Sequence, residues 1–224
     1  MNLFFVVKDS HNINKKIENN IYNKNNNISI KIWDNESFEN YIKKKDTKCY
    51  NCYLKLNKKF GAMIADYIRY CILYFEGGIY MDCKSSIKNT TLQSFIECSQ
   101  ATDGLHLWRW TQKSFDEYLN WFIVCNKNNK IMQKVIDTIN NNIINYNPDK
   151  WRLYNSKQNV LNFTGPRILT QIIDNNKTLD KLCIHNNINR KKYLRYNVFI
   201  NNEYHKLYNQ PHYSKVKEHL VLFI

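Results

Sequence analysis

Glycine and proline are scarce, five and three in 224 residues, and they never gather into a linker-like stretch. Composition therefore marks no seam between domains, and collagen-like or low-complexity architectures are excluded. Long apolar runs are missing as well. No stretch approaches the ~20 residues that span a bilayer, and the first apolar run, LFFVV, is too short for the h-region of a secretory leader. Cysteine occurs seven times (Cys49, Cys52, Cys71, Cys83, Cys98, Cys125 and Cys183), an odd set without the spacing of a small disulfide scaffold. A reduced, cytoplasmic protein with no membrane span is the expectation. Cys49 and Cys52 have the spacing of half a zinc site, but no second Cys pair or His pair follows at ligand spacing, which weighs against zinc.

Acidic residues are outnumbered, 19 against 33 basic ones, for a formal net charge of +14. Such a surplus attracts polyanions: nucleic acid, anionic membrane or phosphorylated ligands. Much of it is compositional, because Asn, Lys, Ile and Tyr recur in runs such as NKNNN, YIKKK and INNNIINYN. That usage points to an AT-rich source such as a giant DNA virus, with the host cytoplasm or the virion as location. At this length the chain can bury roughly 70% of its unfolded surface, and residues 1–224 read as one domain.

Strand and helix patterns alternate from the start. LFFVV (Leu3 to Val7) reads as a buried strand, INKKIENNIY as an amphipathic helix, ISIKIW (Ile28 to Trp33) as a second strand, and ESFENYIKK after Asp34 as a short helix. This succession begins an α/β layer of the nucleotide-binding type.

The segment ADYIRYCILYFEGGIYMDCK, Ala65 to Lys84, is the most informative. From Ala62 to Phe75 nearly every residue is apolar, so the helix is buried on most sides. Asp66 and Arg69 are its only full charges and share a face. Burying either alone costs several kcal/mol, so they pair with each other, meet a ligand or border a wet cleft. Gly77 and Gly78 stop the helix. In the strand IYMDCK, alternation puts Tyr80, Asp82 and Lys84 on one face, at a carboxyl end where open α/β sheets bind ligands.

These residues resemble the DXD-containing sugar-binding region of glycosyltransferase family 32 and of the glucosylating domains of large bacterial toxins. The shared pattern is D-x-x-R followed by G-G-x-Y-x-D-x-D, met here by Asp66, Arg69, Gly77, Gly78, Tyr80 and Asp82. Weaker likeness extends to NLFFVV, to ISIKIWDNESF and to NFTGPRILTQI (Asn162 to Ile172). The resemblance implies a GT-A-like mixed central sheet flanked by helices. It also implies transfer of a hexosyl or N-acetylhexosaminyl group from a nucleotide-sugar, UDP-sugar before GDP-sugar, to a hydroxyl of a glycan or protein, with retention. Asp66 and Arg69 would hold sugar hydroxyls, and Tyr80 would border sugar and ribose. Asp82 would reach the ribose and any metal, and Phe5 and Val7 would flank the base. Gly77, Gly78 and His212 join the implied donor site.

Lys84 stands where the family has the second Asp, the ligand of Mn²⁺ or Mg²⁺. One carboxylate plus a divalent ion carries the same charge as one ammonium, so Lys84 is expected to meet the diphosphate directly and to weaken or remove metal dependence. The opposing reading is a decayed site that binds a donor without turnover.

Other segments carry weaker signals. DGLHLWRW (Asp103 to Trp110) reads as a strand whose His106, Trp108 and Trp110 could wall an acceptor or fill a core. Thr164 could cap a helix starting at Gly165 and Pro166. The tail from Tyr204 to Leu220 offers His205, His212, Ser214 and Lys215 over the diphosphate or as plain surface. A basic nucleic-acid binder is the competing class, but the aromatics concentrate in apolar runs rather than among basic residues.

Overall fold

The two-residue period of the N-terminal strand sets the frame of the molecule. The computed structural model describes residues 2–22, 29–87, 104–112, 115–151, 156–178, 181–186, 194–196, 198–199 and 212–222. In it β1 (Asn2–Val6) lies between β2 (Ser29–Trp33) and β3 (Gly78–Met81), parallel to both. The sheet continues from β3 to β7 (Phe122–Cys125), which is antiparallel to it, then to β5 (Leu105–Gln112) and β6 (Phe115–Tyr118). Strand β8 (Leu182–Asn186) pairs in parallel with β5, while β4 (Ser86–Ile87) and β9 (Leu194–Arg195) form a separate ribbon. The expected mixed central sheet flanked by helices is thus present.

Side chains alternate across this sheet as the pleat requires. Phe4, Val6, Tyr80, Ile123 and Cys125 join one core with α2 (Asn35–Lys45), α3 (Thr47–Lys55), α4 (Gly61–Glu76) and α5 (Lys130–Ile144). Leu3, Phe5, Val7, Ile79, Met81, Phe122 and Val124 join the other, where α1 (Lys15–Tyr22) adds Ile17 and Ile21. Asp34 starts α2 with a capping box: its carboxylate accepts from the Ser37 backbone amide, and Ser37 Oγ accepts from the Asp34 amide. On α5, Ile131, Met132, Val135, Ile136, Ile139 and Ile143 form a buried stripe at helical spacing. The run INNNIINYN begins inside that helix, where Ile139 and Ile143 are core, while Ile144 and most of the asparagines face solvent. The helices α6 (Pro148–Trp151), α7 (Ser156–Phe163) and α8 (Pro166–Asn175) follow.

Two expectations change here. Strand β3 ends at Met81, three residues before Lys84. The Asp82 amide still donates to the Trp121 carbonyl at 2.9 Å, and the Ser85 amide then closes a turn on the Asp82 carbonyl at 2.8 Å. A turn, not strand alternation, therefore sets Lys84. Gly77 and Gly78, expected among the donor-contacting residues, lie at the other end of β3, with Gly78 about 13 Å from Asp82 at 3.3 Å per residue. Both have positive φ, +64° and +116°. Their role is to turn the chain. A Cβ on Gly78 would sit 2.7 Å from the Asn2 carbonyl oxygen and 2.8 Å from the Phe4 ring. Gly78→Ala is expected to lower stability by roughly 2–4 kcal/mol, read from the denaturant midpoint, because both backbone and packing must give way.

On β5 the expectation divides. Trp108 is 1% exposed and packs edge-on against Phe122 and flat against His185, whereas Trp110 is 38% exposed. His106 is buried, its Nδ1 3.3 Å from His185 Nε2. Burial, with the neighbouring His185 adding to it, pushes the His106 imidazole down to about 4. The folded value lies below the unfolded one near 6.5, so the unfolded chain takes up the proton first as pH falls. Stability is therefore complete above pH 6.5 and lost progressively toward pH 4, by up to about 3 kcal/mol. Urea unfolding at pH 7.5 and 4.5 checks this, since His106→Phe should flatten the difference.

Candidate active site

The carboxyl ends of β1 and β3 and the amino end of β7 meet at one edge of the sheet, and α4 brings its two charges there. Asp66 and Arg69 are 5% and 4% exposed. Arg69 Nη2 lies 2.9 Å from Asp66 Oδ1, as their shared face predicts. The Asp66 carboxylate also accepts from Asn120 Nδ2 at 2.9 Å and from Thr164 Oγ1 at 3.0 Å. Arg69 donates through Nε to the Ala65 carbonyl and through Nη1 to the Asn120 carbonyl. Its guanidinium lies over the Tyr80 ring, 4.5 Å from the centroid, and Nη1 is 3.4 Å from Asp82 Oδ1. Tyr80 donates its hydroxyl to the same oxygen at 2.8 Å.

Asp82 and Lys84 form the open rim, their side chains 18% and 23% exposed. Lys84 Nζ is 3.8 Å from Asp82 Oδ2 and 5.1 Å from the centroid of the Tyr196 ring. Tyr196, 44% exposed, packs on Trp121 with centroids 5.1 Å apart. A sealed floor of Asp66, Arg69 and Tyr80 thus carries a rim of Asp82, Lys84 and Tyr196.

Burial sets the titration of this cluster. It pushes the Asp66 carboxyl up to about 7, with Arg69, Thr164 and Asn120 pulling the other way. Burial disfavours the Arg69 charge, but Tyr80, Asp66 and Asp82 outweigh it and hold the guanidinium above its ordinary value. Burial likewise opposes the Lys84 charge, and Asp82 and Tyr196 again more than offset it. Both cations stay charged at neutral pH.

Asp82, expected also as a metal ligand, has both carboxylate oxygens facing side-chain partners. Its Oδ1 faces Tyr80 and Arg69, and its Oδ2 faces the Lys84 ammonium. Among the described residues no three His, Cys, Asp or Glu side chains gather closely enough to hold an ion.

Other expected residues are placed differently. Phe5 is fully buried and Val7 is 5% exposed, both packed in the core with Ile17 and Ile21, so Phe5 presents no surface for a base. Thr164 caps nothing: α8 starts at Pro166 behind Gly165, and the threonine hydroxyl goes to Asp66 instead. His212 hydrogen-bonds with Ser214 and stacks on Tyr213 at the short turn Tyr213–Lys215. Burial raises the Tyr213 phenol to about 12, with the Asp66 charge adding to the rise and the Lys84 charge opposing it. Asp103, His205 and the remainder of 204–211 lie outside the described residues. Cys49 and Cys52 are buried on α3 as free thiols, Cys49 Sγ accepting from Asn140.

Residues 10–97 match the family model described as "Glycosyltransferase sugar-binding region containing DXD motif". That region is similar to a glycosyltransferase segment and holds Asp66, Arg69, Tyr80, Asp82 and Lys84, while Asn120, Thr164 and Tyr196 of the same network lie beyond it. Among solved structures, the PaToxG glycosyltransferase aligns with 18% identity over 78% of this chain and 68% of its own, with a TM-score of 0.50. It shares the fold, which is GT-A-like. The UDP-bound glycosyltransferase domain from the YGT toxin aligns at 11% identity over 69% of this chain and 52% of its own, with a TM-score of 0.47. No curated protein gives a significant match. Among the described residues, no helix is long and apolar enough to cross a membrane.

Proposed function

We propose that this chain, as one domain, moves a hexosyl or N-acetylhexosaminyl group from a nucleotide-sugar to a hydroxyl of a glycan or protein acceptor, with retention at the anomeric carbon. UDP-sugar is preferred over GDP-sugar on the resemblance of the central segment. The observation that supports this most is the convergence of Asp66, Arg69, Tyr80, Asp82 and Lys84 at one sheet edge. A chain that needed only a structural ion pair would stop at Asp66 and Arg69. Here the network runs outward to two charged side chains on the rim.

In the reaction, the bond between the anomeric carbon and the β-phosphate oxygen breaks, leaving its electron pair on the phosphate. The acceptor oxygen bonds to the same carbon on the same face, and its proton passes to the departing phosphate oxygen. The protein supplies placement and charge rather than a nucleophile. Asp66 and Arg69 form the floor under the sugar, Asp82 meets the ribose, and Lys84 meets the diphosphate.

A panel of UDP- and GDP-sugars, each with Mn²⁺ and with EDTA, scored by donor hydrolysis and thermal shift, tests the reading. A shift and turnover with one donor support it. A shift without turnover identifies a donor-binding homologue, and no shift with steeply salt-dependent RNA or DNA affinity favours a nucleic-acid binder.

A further inference from the structure

We infer that the Lys84 ammonium takes the place of a divalent cation in this site, so that donor binding and transfer need no metal. The inference rests on the donor reading above and deepens it. Charge balance is the first ground. With Asp66 ionised, Asp66, Arg69, Asp82 and Lys84 sum to zero. A site with a second carboxylate at position 84 and a doubly charged ion sums to zero as well, so either arrangement presents the same net charge to the donor diphosphate, whereas adding that ion to the present residues raises the sum by two.

Geometry is the second ground. The ammonium is held between Asp82 Oδ2 at 3.8 Å and the Tyr196 ring at 5.1 Å, while the side chain keeps 23% of its surface open. Its backbone is fixed too, because the Lys84 carbonyl accepts from the Val198 amide at 2.8 Å. An ammonium carries three N–H donors, so one anchored by a carboxylate can also meet phosphate oxygens as charge builds on the leaving diphosphate. Bidentate geometry is given up, since an ammonium acts as a point charge.

Calorimetric titration of the purified protein with UDP, and in parallel with GDP, in EDTA and in Mn²⁺, decides the matter. The expected result is a wild-type Kd that agrees within threefold between the two buffers. Lys84→Met should weaken UDP at least tenfold and leave uridine binding unchanged, which locates the loss at the phosphates. Lys84→Arg should keep most of the UDP affinity, and Lys84→Asp should bind UDP only with Mn²⁺. Wild-type binding that vanishes in EDTA and returns with Mn²⁺ overturns the inference alone, as does Lys84→Met binding UDP like wild type. Failure to bind UDP or GDP under either condition overturns the donor reading and this inference with it. The wild-type comparison needs no variant, so misfolding of a substituted chain does not block the decision.

Discussion

Arg69→Met is expected to lower the unfolding free energy by about 3–5 kcal/mol and to abolish sugar transfer. The guanidinium is almost fully enclosed and serves Asp66, Asp82, two backbone carbonyls and the Tyr80 ring. Methionine fills much of the volume but leaves Asp66 as a buried carboxylate with only Asn120 and Thr164 as donors. Asp66 would then stay protonated in the folded variant to higher pH than in wild type, while its unfolded value remains near 3.9. Below about pH 7 the folded wild type holds that proton too, so the deficit should be flat from pH 5 to about 7 and grow from there to pH 8, where the wild-type carboxyl ionises and the variant's does not. The double variant Asp66→Asn/Arg69→Met removes the stranded charge and should regain most of the stability but none of the activity. Denaturant unfolding of both variants across that pH range is the measurement. A single variant within about 1 kcal/mol of wild type would mean that the pair is not the electrostatic floor of the site.

The parts of this site legible in the sequence were those set by local period. Asp66 and Arg69 had to share a face because they are three apart on a helix, and Leu3, Phe5 and Val7 had to share a face because a strand alternates. The residues that complete the site arrive from far along the chain. Asn120 and Thr164 are 54 and 98 positions from Asp66, and no local pattern says that an asparagine before β7 or a threonine before α8 will turn toward the same carboxylate. Tyr196 carried no signal at all. Lys84 shows the converse: alternation suggested its face, but the turn that closes on Asp82 determines its position. The helix α5 was hidden by composition, since its asparagine-rich end looked like drift while its isoleucines kept a helical stripe. Base-flanking residues failed for a physical reason, because the alternation that buries Leu3 also buries Phe5.

Asp82→Asn separates the chemistry of the site from its stability. The substitution keeps size and shape, and its amide oxygen can still accept the Tyr80 hydroxyl that now reaches Oδ1 at 2.8 Å. On the other side, an amide group would face the Lys84 ammonium in place of a carboxylate oxygen 3.8 Å away. Lys84 then loses its anchoring charge, and the ribose loses its negatively charged acceptor. Removing one preorganised electrostatic contact of this kind typically costs 10²–10³ in turnover. Asp82 is on the partly solvated rim, and Arg69 keeps its partner Asp66, so the thermal midpoint should move by only a few degrees. Initial rates of UDP-sugar hydrolysis, measured beside a thermal melt, are expected to show a fall of at least 100-fold in the first and little change in the second. Rates within threefold of wild type would place the reacting centre away from Asp82. A collapse of the melt would instead make the rim part of the structural core, which its exposure argues against.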